Sequence, residues 1–150
     1  MKEESLLLLS DLQKLINQVV LIDYTIIILG GKTLKVLVYR KCSTCLKALK
    51  WLEVNQVVFD ERPIKEENPS YEELKAWYEM SGLPLKKFFN TSGILYKQMN
   101  LKDKLKEMSE DEQLKLLATD GMLVKRPLVI GDGFVLTGFK EKEWEDKING

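Results

Sequence analysis

The clearest pattern in the chain begins at Leu34. The run Leu34-Lys35-Val36-Leu37-Val38-Tyr39-Arg40 is apolar on both faces apart from Lys35, as a strand buried in the middle of a sheet would be. It leads into Lys41-Cys42-Ser43-Thr44-Cys45. Leu46, Leu49 and Leu52 then recur at three-residue spacing, with Lys47, Lys50 and Glu53 set to face away, which predicts an amphipathic helix with Ser43 and Thr44 in its first turn. Asn55-Gln56 breaks that helix, and Val57-Val58-Phe59 opens a second strand that fades at Arg62-Pro63. A strand, a helix and a strand in so short a stretch make a βαβ unit, expected to be parallel and right-handed.

The middle of the chain has helical spacing. Ser70 with Glu73 forms a capping box ahead of Leu74, Trp77 and Tyr78, and Gly82 and Pro84 end that helix. A short apolar element around Phe88-Phe89 meets the break Asn90-Thr91-Ser92-Gly93. Ile94 to Met99 and Leu101 to Met108 read as short helices, and Ser109 with Glu112 opens another that stops at Asp120-Gly121. The C-terminal part then turns to β: Pro127 to Ile130, the turn Gly131-Asp132-Gly133, and Phe134 to Thr137 read as a hairpin. A final amphipathic helix lies around Trp144 and Ile148. The expected fold is therefore α/β, in the order βαβ, a helical insertion over about residues 66–120, then ββα, as one domain over residues 34–150. Ahead of it, residues 5–18 have helical spacing and Leu21 to Leu29 reads as an isoleucine-rich strand closed by Gly30-Gly31.

Composition narrows the chemistry. The 150 residues hold 23 basic and 23 acidic side chains, so no global field favours nucleic acid or an anionic membrane. There is no histidine, which excludes Ser-His-Asp and Cys-His nucleophile pairs and any His-containing metal site. Two cysteines are too few for a disulfide framework and point to a reducing compartment. The N-terminus lacks the net-positive opening of a secretory signal, and the longest apolar stretch, Val19 to Leu29, falls short of a bilayer span. The expected location is the cytoplasm.

Cys42 and Cys45 form a Cys-x-x-Cys pair where a strand runs into a helix. Free backbone N–H groups and the helix dipole favour an anion there, and Arg40 and Lys41 add positive charge next door. Cys42, nearer the helix start, is the expected thiolate nucleophile, and Cys45, one turn on, the resolving thiol. Two other readings stay open on the residues alone: half of a zinc site completed by a second chain or by carboxylates, and a pair of inert buried cysteines. Arg126-Pro127 is the second feature. Pro127 opens a strand, one of the few places a sheet accepts proline. Arg126 reads either as a surface cation or as a group reaching an anionic sulfur. Trp77, Tyr78, Phe88, Phe89 and Tyr96 have the spacing of core residues rather than a base-stacking platform. Lys86-Lys87 and Lys102/Lys104/Lys106 read as solvated helix faces.

Three segments, in this order, resemble the arsenate reductase-related family, which includes the Spx- and MgsR-type redox regulators. They are Tyr39-Arg40-Lys41-Cys42-Ser43-Thr44-Cys45-Leu46-Lys47-Ala48, Ser81-Gly82-Leu83-Pro84-Leu85-Lys86-Lys87-Phe88-Phe89-Asn90-Thr91 and Val124-Lys125-Arg126-Pro127-Leu128-Val129. The resemblance covers the chain from about Leu34 to its C-terminus. It implies a thioredoxin-like fold with a mixed four-stranded sheet, a nucleophilic cysteine at Cys42, and an active-site cation at Arg126 beside a cis proline at Pro127. Arsenate reductases of this type hold the oxyanion with several arginines, one near Asn90 and one near Gly138. Neither position is arginine here, which argues against arsenate as substrate. They also generally lack the second cysteine, whereas Cys45 is present, as in Spx-type proteins.

The expected function is thus a cytoplasmic thiol–disulfide oxidoreductase that uses Cys42, Cys45 and Arg126 to reduce a disulfide or small oxidised substrate. No cofactor is expected to be bound, and glutathione or thioredoxin is the expected reductant. The alternative is an Spx-type redox-switched transcriptional regulator that binds the α subunit of RNA polymerase; a zinc-binding interaction module is the third reading. Neither direct nucleic-acid contact nor a membrane partner is expected. Residues 1–33 fall outside the resemblance, and Gly30 to Leu34 is what an in-frame ribosome-binding sequence and a TTG start codon can encode. That segment is expected to lie upstream of the natural start. A strand in it would otherwise add to a sheet edge or pair with another subunit.

Overall fold

A computed structural model describes residues 33–150. The helix and isoleucine-rich strand expected before Leu34 lie outside the described residues. The strands are β1 (Leu34–Val38), β2 (Phe59–Pro63), β3 (Leu128–Ile130) and β4 (Val135–Thr137). The helix α1 (Ser43–Val54) joins β1 to β2. Between β2 and β3 come α2 (Tyr71–Ser81), α3 (Ile94–Gln98), α4 (Leu101–Lys104) and α5 (Glu110–Leu117), with short 3-10 turns at Leu85–Phe88, Leu105–Glu107 and Gly121–Leu123. The last helix, α6 (Glu141–Trp144), continues as a π-helical turn, Glu145–Asn149.

The four strands form one mixed sheet in the order β2-β1-β3-β4. β1 pairs parallel with β2 and antiparallel with β3, which pairs antiparallel with β4. This is the thioredoxin-like α/β arrangement. Alternation along the strands divides the core between two faces. Val36, Val38, Val129 and Leu136 pack with Ala48, Leu52 and Trp144 on the α1–α6 side. Leu37, Leu128 and Val135 pack with Leu74, Phe88 and Leu117 of the helical insertion on the other. Trp144 is fully buried, with its ring edge-on to Phe139 at 4.9 Å and to Trp51 at 5.8 Å, and its Nε1–H donates to the Gly138 carbonyl at 3.1 Å.

Local signals account for the insertion. Both capping boxes form: the Ser70 and Ser109 side chains accept from the Glu73 and Glu112 N–H groups, and each glutamate reaches back to its cap. Gly82 takes the left-handed conformation that ends α2, at φ +65°. Gly121 allows a close backbone approach, because a Cβ there would lie 1.8 Å from the Ile64 carbonyl oxygen.

Two details differ from the sequence pattern. β2 begins at Phe59 rather than Val57, because Gln56 turns left-handed (φ +54°) and the Val57 N–H closes on the Leu52 carbonyl at 3.0 Å. Its charged residues and Pro63 suit an edge strand. On α1 the buried stripe is Cys45, Ala48, Trp51 and Leu52, while Leu46 is 48% exposed. A strict three-residue spacing drifts around a helix of 3.6 residues per turn, so Leu46 and Leu52 cannot share one narrow face. No helix among the described residues is long and apolar enough to cross a membrane.

Candidate functional site

β1 delivers the chain to the N-terminus of α1 through a tight turn in which the Cys42 N–H donates to the Tyr39 carbonyl at 2.9 Å. Cys42 is the extended residue that caps the helix, and its carbonyl accepts the first helical N–H, from Leu46, at 3.1 Å. It is partly exposed. Cys45, one turn on, lies on the buried stripe with no solvent exposure. The Tyr39 N–H donates to its sulfur at 3.5 Å. Both thiols are free.

The two sulfurs have opposite electrostatics. Burial alone pushes the Cys42 thiol up. The N–H groups of Cys45 and Thr44, the Cys45 thiol and the Arg126 guanidinium outweigh it, so its pKa falls below the ordinary 9.0. Those N–H groups point at the sulfur without closing a full capping hydrogen bond. Burial first, with the Cys42 charge adding to it, pushes Cys45 up to about 11 against the opposing Tyr39 N–H and Arg126. One thiol is thus prepared to ionise and the other holds its proton.

The cation that faces Cys42 is Arg126, not its sequence neighbour Arg40. Arg40 turns away, and Glu61 on β2 holds its guanidinium in a fork at 2.8 and 2.6 Å. Arg126 lies over the Tyr39 ring at 5.1 Å and its Nη1 donates to the Met122 carbonyl at 3.4 Å. Its Nε is buried with no hydrogen-bond partner among the described residues. The Arg126–Pro127 bond is cis, as the resemblance implied. The fold therefore brings Cys42, Cys45, Arg126 and Pro127 together.

In front of Cys42 lies a cleft of about 610 Å³. Sequence reasoning did not find most of its wall: Thr44, Ser92, Met122 and Phe139 carried no signal of their own. Asn90 and Gly138, the two positions where family arginines were expected, both line it. Asn90 is nearly buried and its amide points back at the Met122 carbonyl at 3.5 Å. Gly138 carries no side chain, and the Lys125 stem crosses close to it, with Cε 3.2 Å from where a Cβ would stand. Lys125, Arg126 and Lys140 are the cations of the wall, and it contains no carboxylate among the described residues. The cleft suits an anionic or polarisable sulfur group at Cys42. Among the described residues there is no cluster of three or more side chains fit to hold a metal.

Residues 37–147 match the ArsC family. The chain belongs to that family. The uncharacterised protein YusI of Bacillus subtilis is 60% identical over 108 residues, covering 72% of this chain and 92% of that one. The regulatory protein MgsR of the same organism is 30% identical, covering 70% of this chain and 82% of its own. Among solved structures, an ArsC-family-related protein of Bacteroides fragilis superposes with a TM-score of 0.75 at 55% identity, covering 77% of this chain and 98% of its own. A possible arsenate reductase of Streptococcus mutans gives 0.70 at 42% identity, covering 75% and 98%. The family places the chain among redox-related proteins.

Proposed function

We propose that this ArsC-family protein is a thiol–disulfide reductase in which Cys42 attacks, Cys45 resolves and Arg126 supports the sulfur anion. The observation that carries the reading is the contrast at α1. A partly exposed thiol whose pKa is lowered stands one turn ahead of a buried thiol pushed up to about 11. The Cys42 thiolate attacks one sulfur of a substrate disulfide, forming a mixed disulfide and releasing the other sulfur as a thiolate. Cys45 then attacks the Cys42 sulfur and its proton passes to the departing substrate thiolate. The substrate gains two electrons, and the chain is left with a Cys42–Cys45 disulfide. Glutathione or thioredoxin returns the two electrons by the reverse exchange. Arsenate is the poorer candidate substrate, because Asn90 and Gly138 supply no cation.

The similarity to MgsR, and the 48% exposure of Leu46 one turn beyond Cys42, favour a second reading. In it the same disulfide switches a protein-binding face, with the RNA polymerase α subunit as the expected partner. Turnover of a small disulfide with glutathione or thioredoxin tests the two, using wild type and Cys42→Ser. The reductase reading expects turnover that Cys42→Ser removes; turnover that survives the substitution ends it. No turnover, with redox-dependent binding to the polymerase α subunit, establishes the regulator instead.

A further inference from the structure

A second groove, of about 800 Å³, opens beside the cysteine cleft along the free edge of β4. Lys125, Thr137 and Lys140 line both, so the two depressions are continuous. One wall is the stretch from Gly133 to Thr137; the facing wall carries Leu83, Pro84, Lys86 and Lys87.

Charge is concentrated here. Five lysines (Lys86, Lys87, Lys125, Lys140 and Lys147) share the groove with two carboxylates, Glu143 and Asp146. The chain as a whole balances 23 basic against 23 acidic residues, so this is a local excess. Lys140 lies 3.9 Å from Glu143, and among the described residues the other four lysines have no ion-pair partner. The sequence pattern reads Lys86-Lys87 as a solvated face, and both residues are exposed; the fold sets that face along the groove, across from the stretch Gly133 to Thr137, which carries no acid.

The backbone adds a second constraint. The Gly131 N–H donates to the Phe134 carbonyl and the Gly138 N–H to the Pro127 carbonyl, both at 2.9 Å. In an antiparallel ladder this alternation turns the main-chain groups of Val135 and Thr137 away from β3, toward the groove. No strand among the described residues pairs with them. An unpaired strand edge beside unpaired cations is complementary to an extended polypeptide with acidic side chains.

We infer that this groove binds an extended, acid-rich segment of the protein that Cys42 reduces, laid as an added strand along β4. The inference rests on the reductase reading for what is reduced, and on the groove alone for what is bound. A nucleic-acid strand fits less well, since Glu143 and Asp146 oppose its phosphates and the strand edge offers main-chain pairing that it cannot use.

Fluorescence anisotropy of the full reduced chain with a short labelled peptide that alternates glutamate and valine tests it. The peptide binds about tenfold more tightly than its lysine–valine counterpart at low salt. The difference collapses near 1 M salt, where screening acts within ~3 Å. The double variant Lys86→Glu, Lys87→Glu removes the preference with its unfolding temperature unchanged. N-methylation of alternate peptide residues weakens binding about tenfold in one register and leaves the other register unaffected. Equal affinity for the two peptides, indifference to N-methylation in both registers, displacement by a single-stranded oligonucleotide, or blockage of the site by self-association of the chain would each overturn the inference. Small-disulfide turnover is read separately. Binding without turnover keeps the groove and removes the reductase, while turnover without peptide preference does the reverse.

Discussion

At the β2 edge of the sheet the arginines are held by carboxylates, whereas beside β3 the arginine faces a sulfur. Arg40 is forked by Glu61. Arg62 is held by both Glu73 oxygens, at 2.7 and 3.0 Å, and donates to the Glu67 and Asn68 carbonyls as well. Arg126 has an aromatic ring below it, one long bond to a carbonyl, the Cys42 thiol nearby and, among the described residues, no carboxylate partner. A guanidinium whose charge a neighbouring carboxylate balances stabilises the fold. One left without a carboxylate raises the local potential and favours an anion where the chain has placed a thiol. The lysines follow a similar division: of those lining the groove beside β4, Lys140 reaches Glu143 at 3.9 Å, and among the described residues Lys86, Lys87, Lys125 and Lys147 have no ion-pair partner.

That contrast can be broken most sharply at Arg126. Arg126→Met raises the Cys42 pKa, and the rate of Cys42 alkylation at neutral pH falls several-fold. The pH profile of alkylation moves upward, and a rate and profile like wild type would show that Arg126 does not support the thiolate. Arg62→Met has the opposite signature: Cys42 reactivity is unchanged and stability drops by about 1 kcal/mol, a figure already reduced for the partial exposure of the pair. Denaturant unfolding measures it. The same variant carries a pH test. Arg62 leads the causes that pull Glu73 from 4.5 to about 2, ahead of the opposing effect of burial. A carboxyl whose pKa is lower in the folded state contributes stability that is present above 4.5 and lost as pH falls toward about 2. Wild type therefore loses stability across that window faster than Arg62→Met, and the two curves converge at its acid end. The smallest effect is expected at Arg40, whose side chain is 68% exposed. Arg40→Met changes neither the unfolding midpoint nor the alkylation rate measurably. A clear loss of thiol reactivity there would return the role to the sequence neighbour and dissolve the distinction.

Much of the fold was legible because its signals are local. The capping boxes at Ser70 and Ser109, the stop at Gly82, the hairpin around Gly131 to Gly133 and the βαβ unit each depend on residues a few positions apart, and each forms. Cys42 and Cys45 belong to the same class, since a strand running into a helix already places one thiol at the helix start and the other one turn inward. Their assignment to a family needed the ordered segments around Cys42, Pro84 and Pro127.

The tertiary structure decided which charge meets which group. Arg40 adjoins Cys42 in sequence, yet the parallel pairing of β1 with β2 brings Glu61 within reach and takes that cation out of the site. Arg126 is far from Cys42 in sequence, and the antiparallel pairing of β3 with β1 brings it there. Leu46 shows the same limit on a smaller scale: the turn of α1 is legible, but which side of it meets the sheet depends on how Val36 and Val38 pack against Cys45 and Ala48. Short-range propensities set the elements and the Cys-x-x-Cys pair, because those energies depend on neighbours along the chain. Partner choice among charges, and the exposure that separates Cys42 from Cys45, depend on distance and desolvation, which exist only once the sheet is assembled.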